Sequence, residues 1–220
     1  MSSRRQLLES LLLSRLPSAF QEVEYIESAG TQYVDTQCIV NSSTKVKLES
    51  ALSVAYTSQS QYACIIGTTG NSTSNPAFCI YVNTQYVGGR FGQYPSGTTA
   101  SLFSLVEWGT NTKHYIECEI NSLSVDNQTP ITASMEYATL SNSLKLFVRG
   151  GYNSAVFNSD SYSKAKLYSC KIYDNDVLVR NFVPCYRKSD NEIGLYDLVN
   201  GVFYINAGTG TFTKGADVWK

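Results

Sequence analysis

Val183-Pro184-Cys185-Tyr186-Arg187-Lys188, running on through Gly194-Leu195-Tyr196-Asp197 to Asn206-Ala207-Gly208-Thr209-Gly210-Thr211-Phe212, is the stretch whose reading decides the fold. Leu195, Tyr196, Leu198 and Val199 lead into Asn200-Gly201, and Val202, Phe203, Tyr204 and Ile205 lead out of it. Asn-Gly between two apolar, β-rich runs predicts a hairpin, because a type I′ turn needs positive φ at both central residues. The run offers no catalytic nucleophile, no metal-ligand cluster and no phosphate loop. Gly208-Thr209-Gly210-Thr211 lacks the Lys of a Walker motif and a helix after it, so it reads as a strand-end turn.

The same period of two extends back along the chain. Val46, Leu48, Ser50 and Leu52 fall on one face of a strand, and Lys45, Lys47, Glu49 and Ala51 on the other. His114, Ile116, Cys118 and Ile120 alternate with Tyr115, Glu117 and Glu119. Further strands are predicted near residues 62–67, 77–82, 85–91, 144–149, 164–173 and 177–183. Glycine and proline breakers stand between them at 67–76, 88–89, 95–97, 109 and 150–151. Many short strands punctuated by turns predict an all-β, two-sheet antiparallel sandwich.

Composition suits that reading. The chain has 220 residues, 43% hydrophobic and 16% charged, with sixteen Tyr and fifteen Gly, enough for one large domain with a real core. A net charge of −1 gives no electrostatic reason to expect nucleic acid or an anionic membrane as partner. No segment is long and apolar enough to cross a bilayer. Cys38, Cys64, Cys79, Cys118, Cys170 and Cys185 stand singly, several alternating with apolar neighbours. They read as small buried hydrophobes in a chain made in a reducing compartment, with disulfides an open alternative. The single His and the scattered thiols lack the spacing of a zinc site, so no metal and no cofactor is expected.

The N-terminus differs from the rest. Residues 2–15 read as a short amphipathic helix, capped by Ser2 or Ser3 and stopped by Pro17, with Leu7, Leu8, Leu11 and Leu12 as its apolar stripe. Alone such a helix is marginal in water, so its stripe needs a surface to dock on. Residues 1–16 are expected to be an anchoring and oligomerisation arm, and residues 17–220 the sandwich. Arg4-Arg5 ahead of the Leu-rich stretch is not expected to be a secretory signal, because Glu9 and Arg15 interrupt it and no small-residue cleavage site closes it. The sequons at Asn41, Asn71 and Asn127 then carry no weight.

Leu16-Pro17-Ser18, Val23-Glu24-Tyr25-Ile26-Glu27-Ser28, Gly30-Thr31-Gln32-Tyr33-Val34-Asp35-Thr36, Lys171-Ile172-Tyr173-Asp174-Asn175 and Leu178-Val179-Arg180-Asn181-Phe182 join the C-terminal run in one pattern. From about Leu16 to Gly215 the chain resembles a concanavalin A-like (LamG-type) jelly-roll domain, of the kind found in bacteriophage structural proteins and gut-bacterial surface proteins. The middle third matches only loosely. Gln37 and Asp176 stand where such proteins usually carry Gly, which touches turn geometry. The resemblance implies a jelly-roll on a virion surface, made in the bacterial host cytoplasm, as a capsid decoration or a head or tail fibre component. It implies contact with other virion proteins through the N-terminal helix, a homo-oligomer, and adhesion to host or mucosal glycans. The alternative is a bacterial carbohydrate-binding module or adhesin.

Chemistry is sparse. Glu117 and Glu119, spaced i, i+2 on one strand face, are the best local match to a glycosidase acid and nucleophile. They read as a solvated face opposite Ile116 and Cys118, and the chain is expected not to be an enzyme. His114, on the apolar-facing register, reads as a hydrogen-bonded structural histidine. Ligand contact is expected instead from Tyr86, Arg90, Tyr94, Trp108, Arg149 and Tyr152, aromatic and guanidinium groups beside glycine-rich turns.

Overall fold

The computed structural model describes residues 16–56, 63–69, 77–82, 87–92, 101–104, 108–134, 140–150 and 162–219. Their strands, numbered along the chain, form two sheets. The larger has the order β11 (Ile131–Thr132), β10 (Ser122–Val125), β9 (His114–Glu119), β4 (Lys45–Leu52), β14 (Lys164–Asp174), β15 (Val177–Arg187), β16 (Glu192–Asp197) and β17 (Val202–Ile205). It is completed by β1 (Phe20–Glu22) against β15, and by β2 (Ile26–Ala29) against β14 and β18 (Thr213–Lys214). The smaller runs β3 (Val34–Ile39), β12 (Ser143–Leu146), β5 (Ala63–Thr69), β6 (Ala77–Val82), β7 (Val87–Gly92) and β8 (Ser101–Ser104). Pairing is antiparallel throughout these strands; β13 (Arg149–Gly150) alone lies parallel to β5.

The all-β, two-sheet antiparallel sandwich read from the sequence is the fold observed. Alternation explains why. Val46, Leu48 and Leu52 are fully buried on β4, as are Leu167, Cys170 and Ile172 on β14, and they face Ile66, Phe78, Ile80, Leu144 and Leu146 of the smaller sheet in one core. Burying each large aliphatic side chain contributes about 1.5–3 kcal/mol, which is what fixes the register of a two-faced strand. The helix and Leu stripe expected over residues 2–15 lie outside the described residues.

Turn chemistry departs from expectation in three places. The closing hairpin does not turn on a two-residue Asn200-Gly201 loop. Asp197 pairs with Val202, so Leu198, Val199, Asn200 and Gly201 form a four-residue loop, and only Gly201 of that loop is left-handed (φ 69°). The cause is Asp197, fully buried, which gathers the loop. Its Oδ1 accepts from the N–H groups of Asn181 (2.8 Å) and Val199 (3.0 Å), its Oδ2 accepts from Asn200 Nδ2 (2.8 Å), and its carbonyl accepts from Gly201 N (2.9 Å). The two-residue turn with both φ positive occurs instead at Asn175-Asp176 (48° and 60°), between β14 and β15. Finally, the strand expected over 144–149 is broken at Phe147, whose φ of 68° reverses the chain between β12 and β13.

Candidate ligand-binding face of the smaller sheet

Strand register assembles one row across the outer face of the smaller sheet. Asp35 on β3 pairs with Lys145 on β12, Lys145 with Gly67 on β5, Gly67 with Cys79 on β6, Cys79 with Arg90 on β7, and Arg90 with Ser101 on β8. Arg149 on β13 also pairs with Gly67. The adjacent residues Val34, Leu146, Ile66 and Ile80 point the other way, into the core.

One end of the row is held by charge. Lys145 Nζ lies 2.9 Å from Asp35 Oδ2 and donates to Ser143 Oγ at 3.0 Å, and Ser143 Oγ donates to Asp35 Oδ1 at 2.6 Å. Burial alone raises the Asp35 carboxyl. The hydrogen bonds from Lys145, Ser143 and the Gln37 N–H outweigh it and hold the group below the usual carboxylate range. Lys145 is thereby spoken for.

The middle is built of small residues. A Cβ at Gly67 would meet Cys79 Cβ at 2.7 Å and Cys64 Sγ at 2.9 Å, so only glycine lets the two thiols close over β5. At Gly88, a Cβ would collide with the Tyr81 ring that covers it. Cys64 and Cys79 are buried. Burial pushes the Cys64 thiol well up, the neighbouring Cys79 adds to that, and the Arg149 charge pulls it back. Arg149 is half-buried and forms no ion pair with any described residue.

Of the residues expected to touch ligand, Arg90 and Arg149 are therefore brought to one row of one sheet. Tyr86, Tyr94 and Tyr152 lie outside the described residues. Trp108 is a correction. Expected within reach of solvent beside Gly109, it is fully buried, with its indole on the His114 ring (centroids 4.2 Å apart). A side chain of that size gains more by filling the core than by standing on a turn. His114 is the buried, hydrogen-bonded histidine expected, with Nδ1 2.7 Å from Asp126 Oδ2. Its Nε2 and Trp108 Nε1 have no hydrogen-bond partner among the described residues.

The larger sheet shows a different outer face. Glu117 is paired with Lys47 (3.0 Å) and accepts from Tyr115 Oη (3.2 Å), while Glu119 lies 3.8 Å from Lys45. Burial and then the Glu117 charge push the Tyr115 hydroxyl up to about 12. Lys47, Lys113 and Lys166 lie over the rings of Tyr173, Tyr168 and Tyr25. This lattice of mutually satisfied cations, rings and carboxylates was legible only as an alternating charged face. The tyrosines that cap the lysines come from strands remote in sequence, as does Lys145 of the smaller sheet's row. Among the described residues, no three His, Cys, Asp or Glu side chains gather to hold a metal, and no helix is long and apolar enough to cross a membrane.

No family model and no curated protein matches the chain. Among solved structures, it is similar to domains LG4-5 of the mouse laminin alpha1 chain, at 12% identity and a TM-score of 0.47, over 79% of this chain and 48% of that one. The chain thus spans about half the length of that laminin chain. The sandwich assignment stands on the strand pairing, and no residue role passes across this likeness.

Proposed function

We propose that this chain is a non-catalytic display domain of a bacteriophage particle, a capsid decoration or part of a head or tail fibre, which offers its sandwich to host or mucosal glycans. Contact with other virion proteins falls to the Leu7, Leu8, Leu11 and Leu12 stripe, and the display unit is a homo-oligomer. The virion setting rests on the sequence resemblance from about Leu16 to Gly215.

The observation that carries the binding half is the row joining Arg149, Gly67, Cys79 and Arg90. It brings the half-buried Arg149 into one backbone register with Gly67, Cys79 and Arg90, on strands that pack against the core. Two features favour binding over hydrolysis. Glu117 and Glu119 are each tied to a lysine on a sheet surface, and His114 is enclosed against Trp108. A general acid and a nucleophile need a cleft and room for the sugar between them.

A glycan array on the full chain tests the binding half; silence across neutral and acidic glycans removes it. Particle assembly tests the anchoring half. A chain lacking residues 1–16 is expected to fold yet fail to join particles, and normal incorporation contradicts the assignment. The second reading, a bacterial carbohydrate-binding module, shares the same row and differs in having no place on a particle.

A further inference from the structure

Asn200-Gly201 is the one Asn-Gly step in the chain, and both residues are exposed in the loop between β16 and β17. Asparagine before glycine is chemically labile, because no Cβ shields the glycine nitrogen from the neighbouring side-chain amide. The Gly201 nitrogen bonds to Asn200 Cγ, the Cγ–Nδ2 bond breaks, and the amino group leaves as ammonia with the displaced proton. Water then opens the cyclic imide to aspartate or isoaspartate. The step needs no oxidant or reductant.

The fold holds both reacting groups back from it. Gly201 N donates to the Asp197 carbonyl at 2.9 Å, and Asn200 Nδ2 donates to Asp197 Oδ2 at 2.8 Å and to the Val179 carbonyl at 3.3 Å. Imide closure takes the proton from Gly201 N and the amino group from Asn200 Cγ, so it breaks all three bonds. Asp197 is itself fixed from outside the loop. It is fully buried, its Oδ1 accepts from Asn181 N at 2.8 Å, and its Oδ2 lies 3.6 Å from Arg180 Nε, both on β15. The clamp is thus anchored to the edge of the core rather than to the loop.

We propose that Asn200-Gly201 is a deamidation site kept latent by Asp197, and that its conversion releases the closing hairpin. Neither product restores the native bonds. Aspartate sets a second carboxylate against that of Asp197, which then lacks a donor. Isoaspartate adds a main-chain carbon to a loop whose ends are fixed by the Asp197–Val202 pair. Beyond the loop, β17 carries Tyr204, which packs edge-on against Phe182 in the core (centroids 5.2 Å apart). Deamidation therefore turns a passing opening of the loop into a lasting one.

The test follows conversion at Asn200 by site-resolved peptide mass spectrometry on the full chain at mildly alkaline pH, native and unfolded in guanidinium chloride. Native Asn200 deamidates at least about tenfold more slowly than the same residue in the unfolded chain. Asp197→Ser, checked for folding by thermal unfolding, loses most of that protection at Asn200 and leaves the rate at Asn121, between β9 and β10, unchanged. Amide hydrogen exchange on the native chain reads the clamp without a substitution, and the Gly201 N–H is protected. The deamidated chain, separated by ion exchange, unfolds at a lower denaturant concentration than its parent. Equal native and unfolded rates, undiminished protection in folded Asp197→Ser, or exchange at Gly201 as fast as in the unfolded chain overturns the latent site. If Asp197→Ser does not fold, the Gly201 exchange decides. An unchanged midpoint after deamidation overturns the release of the hairpin.

Discussion

Asn200 donates its side-chain amide to the fully buried carboxylate of Asp197 at 2.8 Å, one of several bonds by which Asp197 ties the closing hairpin loop to the edge of the core. Asn200→Asp replaces the donor with a second carboxylate and leaves Asp197 one hydrogen bond short. A loss of about 1–3 kcal/mol is expected, since a buried acceptor deprived of its partner bears its full desolvation cost. Urea unfolding measures it, and an unchanged midpoint would show that Asp197 does not organise the loop.

Gln37 holds φ at 54°, in the left-handed region, with its N–H bonded to Asp35 Oδ1 at 2.9 Å. A non-glycine residue there costs about 1–2 kcal/mol, and glycine recovers most of that against its own entropy cost. Gln37→Gly should therefore stabilise the fold by about 0.5–1 kcal/mol in the same assay. Asp176→Gly at φ 60° should gain less, because Asp tolerates this conformation and the change also removes the 3.0 Å contact with Lys45.

These two positions show how the fold was legible and the geometry was not. Alternation on β4, β9 and β14 gave away the buried faces, because a period of two reads directly as inside and outside. Gln37 and Asp176, which depart from glycine, both turned out left-handed, but only Asp176 marks a turn; Gln37 lies within β3. The Asn200-Gly201 dipeptide misled, because a buried carboxylate from its own strand outbid the local preference for a two-residue turn. Trp108 misled for a similar reason: a neighbouring glycine says where a turn falls, not which way a large side chain points. The row through Gly67 depends on register among strands separated by many residues, which no local pattern carries.

All six cysteines are free thiols, and only Cys38 is not fully buried. Burial pushes Cys185 up to about 12 and raises Cys38, Cys64, Cys118 and Cys170 as well. A thiol reagent at pH 8 should therefore find at most one slowly reacting group in the native chain, and six after unfolding. Fewer than six on unfolding without reductant would reveal a disulfide.

Asp35 is held below the ordinary carboxylate range by Lys145, Ser143 and the Gln37 N–H, against the opposing effect of burial. A depressed folded-state pKa gives stability that is present above the unfolded value, about 3.9, and is lost as pH falls through the folded value. The chain should thus lose stability on acidification below about pH 4, and Lys145→Met should reduce that acid-linked loss. Unfolding midpoints measured from pH 6 down to pH 2 check the sign. An acid profile identical in the variant would show that the pair contributes nothing.

The most direct test of the account is electron microscopy of the assembled particle with this chain located in it. The display reading predicts many copies in a symmetric arrangement on the outer surface, the N-terminal residues against the neighbouring shell or fibre and the face bearing Arg149 open to solvent. A purified particle that lacks the chain, or that encloses it with the Arg149 face covered by another virion protein, would contradict it.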